Sequence, residues 1–271
     1  MTAPLLVLTD FSPDADLALR HAAALAALLK APLVLLYVRR ESLLDPEAFT
    51  GSIRHLSEKH IAAAFAVRTA GLSVPVITES VDESLPKALA AAVHRHAPAL
   101  VVLGKPDTQQ TPDQLVSTTA LHLLRSTNTP LLVIPLPAND PVLPRQLLVA
   151  LDGEPFGFAT PPIGVQELLR ELQPHLTLCH VASEAETRSV AAHDILAGSQ
   201  LVAGLELPIE THTVLESNVP AGILRAATDT QADWLVLPAR RRSFWGQLFN
   251  QSVTAQVVLH SRLPILLLPT S

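Results

Sequence analysis

Residues 117–135, STTALHLLRSTNTPLLVIP, and residues 251–269, QSVTAQVVLHSRLPILLLP, follow one pattern. Ser126, Pro130 and Pro135 stand opposite His260, Pro264 and Pro269 at a constant offset of 134. Upstream, LLVLTD (5–10) answers LLVALD (147–152) at an offset of 142, so the second copy is eight residues shorter between its first strand and its third. A chain that repeats one α/β unit must either string two independent domains or pack the copies on each other as subunits would. The repeat also supplies an internal control, because a feature kept in one copy and lost in the other is directly visible.

Within each copy, short apolar runs alternate with amphipathic segments. LLVLT (5–9) suits a strand buried on both faces. Asp10 or Ser12 can cap the following helix, and Pro13 fits a first helical position, where no backbone N–H is needed. LVLLYV (33–38) predicts a second strand. Asp45-Pro46-Glu47 reads as a helix start, with Phe49, Ile53, Leu56, His60, Ala63 and Val67 on its packed face. VPVIT (74–78) predicts a third strand, placed at a sheet edge by Pro75, which cannot donate to a ladder. A helix over Leu85–Val93, the strand ALVVLG (99–104), a helix over 115–125 and the strand PLLVIP (130–135) complete the copy. The second copy predicts strands at 146–152, 175–181, 208–214, 233–238 and 264–269. Its helices are expected near 165–172, 187–201, 219–228 and 252–260. Strands alternating with helices imply right-handed βαβ units and a parallel sheet covered on both faces. The boundaries expected are 1–137 and 145–271, with 138–144 as an extended, proline-rich linker.

The bulk numbers narrow the function classes. A length of 271 residues with 48% hydrophobic and 16% charged content allows each half a core. The net charge of −6 argues against a general nucleic-acid binder. One cysteine, Cys179, excludes an intrachain disulfide and suits a reducing compartment. It lies in the apolar run LTLCHV, where a buried, inert thiol is expected. The first residues lack the basic start of a signal peptide, and no run reaches a membrane span's length, so a cytoplasmic protein without membrane contact is expected. Eleven histidines show no metal-binding spacing. His94 and His96 fall at a helix C-terminus, which favours histidine. No Gly-x-Ser-x-Gly elbow occurs.

Three features together resemble the universal stress protein family in its tandem form, over nearly the whole chain. They are the opening VLTDFSPDADLALRHAAALA, the module ALVVLG…STTALHLLRSTNTPLLVIP, and its repeat SFWGQLFNQSVTAQVVLHSRLPILLLP. The resemblance implies two flavodoxin-like (adenine nucleotide alpha hydrolase-like) doubly wound domains, each a five-stranded parallel sheet. It also implies an intramolecular pseudo-dimer joined through the fifth strands, with further homodimer formation open. Nucleotide-binding members hold ATP at the carboxyl ends of the strands, using a loop Gly-x2-Gly-x9-Gly-(Ser/Thr) after strand four. Its glycines let backbone N–H groups reach phosphates at a helix N-terminus.

On this pattern Gly104 keeps the first glycine position, Asp107 and Ser117 replace the next two, and Thr118 keeps the hydroxyl. In the second copy Pro238, Arg241 and Gln251 replace all three glycines, and Ser252 keeps the hydroxyl. Five of six glycines are gone, so ATP, the one cofactor the resemblance implies, is disfavoured in both halves. Asp10 and Asp152 match the acid that contacts the nucleoside, and Val38 and Val181 the residue beside the adenine. Each also has a plain structural role, as a cap or a core side chain.

Arg240-Arg241-Arg242 precedes a helix N-terminus near Ser252, which points either to an anionic small molecule or to a basic loop paired with nearby acids. Phe244, Trp245, Leu248 and Phe249 form either a partner-binding patch or packing over the sheet end. The sequence thus favours a stress-response binding or regulatory protein without efficient turnover. A nucleotide binder using its first domain, and an adaptor using loop 244–249, are the competing readings.

Overall fold

The computed structural model describes residues 2–39, 57–105, 128–136, 143–158, 161–182, 192–240 and 252–270. The first half runs β1 (Leu5–Thr9), α1 (Pro13–Leu29), β2 (Leu33–Val38), α2 (Glu58–Thr69), β3 (Val76–Val81), α3 (Leu85–His96), β4 (Leu100–Lys105) and β5 (Leu131–Pro135). The second runs β6 (Gln146–Leu151), α4 (Ile163–Leu172), β7 (His175–Ala182), α5 (Ala192–Ser199), β8 (Ile209–Leu215), α6 (Val219–Asp229), β9 (Trp234–Arg240), α7 (Val253–His260) and β10 (Ile265–Thr270). The predicted helix over 115–125, the helix start at Asp45, most of the 138–144 linker and loop 244–249 lie outside the described residues.

Each half is doubly wound, with parallel strands in the order 3-2-1-4-5, which reverses between its first and fourth strands. The two halves form one ten-stranded sheet, β3-β2-β1-β4-β5-β10-β9-β6-β7-β8. The junction is an antiparallel pairing of β5 and β10, with Val133 opposite Ile265, Leu132 opposite Leu266 and Leu131 opposite Leu267. Every side chain of LLVIP and ILLLPT is buried, so the apolar strands that would otherwise be open edges are the centre of the molecule. β3 lies at one outer edge, where Pro75 ends its ladder and offers only its carbonyl, to Leu33 N–H at 2.8 Å.

Alternation along the strands sends side chains to two cores. Leu5, Val7, Val149 and Val236 face α1, α2, α4 and α5. Leu6, Val101, Leu148 and Leu235 face α3, α6 and α7. The result is a three-layer α/β/α body. No helix among the described residues is long and apolar enough to cross a membrane.

One expectation needs correction. α2 begins at Glu58, capped by Ser57, and buries Ile61 and Phe65. The face expected to carry His60 and Val67 is turned outward: His60 is exposed, bonded to Ser57 Oγ at 2.7 Å, and Val67 is 74% exposed. A helix that starts at a Ser57 cap takes its phase from there, and the residues it buries are Ile61 and Phe65. α4 is short, as expected near 165–172, at 10 residues against 17 in its counterpart α1. Pro161-Pro162 bars any helix before Ile163, whereas Ser12-Pro13 starts α1 immediately after β1.

Candidate functional site

Open parallel sheets present ligands at the carboxyl ends of their strands, where the strand order reverses. That point lies between β1 and β4 in the first half and between β6 and β9 in the second. Asp10, Gly104, Asp152 and Arg240 all sit there. Thr118 and Arg241 lie outside the described residues.

In the first half, Asp10 is exposed and its Oδ1 accepts from the backbone N–H of Ser12 at 3.0 Å and from the Ser12 hydroxyl. Ser12 in turn caps α1, accepting from Ala15 N–H at 3.4 Å. Asp10 therefore holds the cap rather than being it. Gly104 has a packing reason to be glycine. A Cβ there would lie 2.3 Å from the carbonyl oxygen of Asp14, in the first turn of α1. The carboxyl of Asp14 is held above the usual range, chiefly by burial. Val38 is half-buried against the α3 core, in register with Val81.

The second half is built differently at the same place. Arg240, at the end of β9, reaches across to Asp152, at the end of β6. Its Nε donates to Asp152 Oδ2 at 2.9 Å and its Nη2 to Oδ1 at 3.1 Å. Nη2 also donates to the carbonyls of Glu154 at 2.9 Å and Pro155 at 3.1 Å. Asp152 Oδ1 accepts from Glu154 N–H as well, at 3.1 Å. A planar guanidinium fork suits this bidentate geometry, which an ammonium could not reproduce. Pro238 stands half-buried at the position equivalent to Gly104, and the helix after β6 starts only at Ile163. Val181 packs on α6 at Gly222, where a Cβ would fall 2.7 Å from its Cγ1. Ser252 caps α7 by position only: its Oγ is buried with no hydrogen-bond partner in the described structure.

Two groups at these edges were not singled out from sequence. Phe11 sits at φ 66° just after β1 and stacks on Tyr37, with ring centroids 4.6 Å apart. Phe65 meets it edge-on at 5.3 Å, and the Arg68 guanidinium lies 4.9 Å from its centroid. Arg68 also donates to Phe11 O at 2.7 Å and pairs with Asp16. Its counterpart in the second copy, Gly153, has φ 84°, so aligning the copies could have flagged a left-handed position held by phenylalanine. The second is Lys105, only 4% exposed, whose Nζ donates to Val258 O at 2.9 Å, Leu259 O at 2.6 Å and Ser261 O at 3.0 Å.

Metal chemistry has no described site: no group of three His, Cys, Asp or Glu residues among the described residues could hold an ion. His96 instead pairs with Glu79, at 2.6 Å, and Cys179 is buried with its thiol pushed up to about 11 by desolvation.

The family model described as "Universal stress protein family" matches residues 1–135 and again 145–269. No curated protein is matched by the sequence. Among solved structures, a universal stress protein from Archaeoglobus fulgidus DSM 4304 aligns with a TM-score of 0.68 at 12% identity, over 99% of this chain and 97% of that one. A functionally unknown protein from Pseudomonas aeruginosa PAO1 aligns with a TM-score of 0.62 at 18% identity, over 99% and 93%. The cytoplasmic domain of a prokaryotic cation chloride cotransporter aligns with a TM-score of 0.51 at 10% identity, over 98% and 95%. At these identities the likeness is one of fold.

Proposed function

This chain belongs to the universal stress protein family, and from that premise we propose that it is a stress-response binding and regulatory protein that does not turn over nucleotide. In this reading residues 1–137 and 145–271 are its two domains, paired as an intramolecular pseudo-dimer through β5 and β10. It works in the cytoplasm, where a single buried thiol such as Cys179 needs no oxidised partner. The observation that carries the reading is the Arg240–Asp152 fork. The acid that would contact a nucleoside in the second half is already bonded to a cation of the same chain. An anionic small molecule seeking Arg240 would have to displace Asp152 and two carbonyls. The loss of two of its three loop glycines, together with the packing role of Gly104, points the same way in the first half.

One observation favours a second reading, ATP binding by the first half alone. Asp10 is exposed, and among the described residues it has Ser12 rather than an arginine as its partner. Titration calorimetry of nucleotide-stripped protein with ATP and magnesium separates the two, run beside Asp10→Ala. No heat and no thermal shift are expected. Micromolar binding that disappears in Asp10→Ala would replace the first reading with the second.

A further inference from the structure

We propose that Lys105 is a one-sided latch that makes the two halves unfold as a single unit. Lys105 ends β4 of the first half, and its side chain lies on the face covered by α3, α6 and α7. The carbonyls it meets, those of Val258, Leu259 and Ser261, close the C-terminal turn of α7 in the second half. Those of Val258 and Leu259 are among the last four of the helix, which lack partners within it and carry the negative end of its dipole, and Ser261 is the extended residue that caps it. A buried ammonium with three such acceptors satisfies both sides of the contact, and removing it strands them. The equivalent position in the second half is Ala239, 1% exposed, which has no donor to offer in the reverse direction. Another close contact between halves is apolar: Gly164, at the start of α4, lies against Ala99, where a Cβ would come within 2.5 Å of the alanine's own. The antiparallel β5–β10 ladder holds the sheet together, and Lys105 ties a helix of one half to a strand of the other. This inference does not depend on what either half binds.

The chain carries its own reporters, since both tryptophans, Trp234 and Trp245, belong to the second half. Tryptophan emission during urea unfolding therefore follows that half, and far-UV circular dichroism follows both. In the unaltered protein the two curves coincide, and Ile61→Ala, in α2 of the first half, moves both together. In Lys105→Met the tryptophan curve falls to lower urea by roughly 0.5–1 M and separates from the dichroism curve. In that background Ile61→Ala no longer moves the tryptophan midpoint. Coincident curves in Lys105→Met, wherever they fall, overturn the proposal, as does an unaltered protein whose two curves already differ. Should Lys105→Met not fold, hydrogen exchange on Lys105→Gln decides. Exchange at residues 257–263 is expected to rise about tenfold while that at 58–69 holds, and an equal rise in both overturns the latch.

Discussion

Arg240 and Asp152 face each other through two near-parallel hydrogen bonds, of 2.9 and 3.1 Å, at the ends of adjacent strands β9 and β6. The pair is only partly shielded, with 27% of the arginine side chain and 61% of the aspartate exposed. Its worth is therefore modest, about 1 kcal/mol, despite the good geometry. Arg240→Ala should lower the stability of the protein by that amount, read as a tryptophan-detected urea midpoint. Arg240→Lys should recover little of it, because a single ammonium cannot span the carboxylate and the carbonyls of Glu154 and Pro155 together. Full recovery by lysine would mean that charge alone, and not the fork, holds the edge closed.

Gly104 and Pro238 occupy equivalent positions with opposite tolerances. Gly104→Ala would drive a methyl group into the backbone of Asp14, so α1 must shift or the strand must bend. A cost of about 1–3 kcal/mol is expected from such overpacking. Pro238→Ala only trims a half-buried side chain and should change stability by less than about 1 kcal/mol. Thermal unfolding of the two variants, side by side, checks both. A harmless Gly104→Ala would remove the packing reason for this glycine and return it to a ligand role.

Cys179 is 1% exposed on β7, and burial raises its thiol to about 11. At pH 8 the folded protein should react with a disulfide reagent only as fast as it opens, because the thiolate is both scarce and inaccessible. In denaturant the same thiol should titrate at once and stoichiometrically. Rapid reaction of the native protein would show that β7 opens locally, without global unfolding.

Most strands were legible from sequence because short apolar runs bounded by proline have few alternatives, but β3, expected at 74–78, runs over Val76–Val81, whose second half, ESV, carries no apolar run; the pairing through the fifth strands was what the family resemblance implied. The phase of α2 was not. His60 and Val67 matched a helical stripe drawn from Phe49, but α2 starts at its own cap, Ser57, and buries Ile61 and Phe65 instead. The site was legible by position and not by partner. Asp152 and Arg240 are 88 residues apart, and Lys105 is more than 150 residues from the carbonyls it meets. Nothing local in the chain distinguishes a basic residue bound for a carboxylate or a helix end from one left in solvent. The repeat itself held a sharper signal than motif spacing did: Gly153 stands where the first copy has Phe11.

That substitution can be taken apart energetically. Both positions are left-handed, φ 66° at Phe11 and 84° at Gly153, so the turn after the first strand demands this backbone whatever residue is present. Phenylalanine accepts the strain because its neighbours fix it. Thr9 Oγ1 accepts from its N–H at 3.0 Å, Arg68 donates to its carbonyl, and Tyr37 and Phe65 hold the ring. Phe11→Ala and Phe11→Gly both remove the ring and should each cost a few kcal/mol, about what loss of a large packed side chain entails. They differ only in how well they tolerate positive φ, so the glycine variant should be the more stable by about 1 kcal/mol. Gly153→Ala should lose a similar amount in the second half. Urea unfolding of the three variants tests the set. Equal stability of Phe11→Ala and Phe11→Gly would show that the turn relaxes once the ring is gone. The strain at Phe11 would then be imposed by the aromatic cluster and not by the path from β1 to α1.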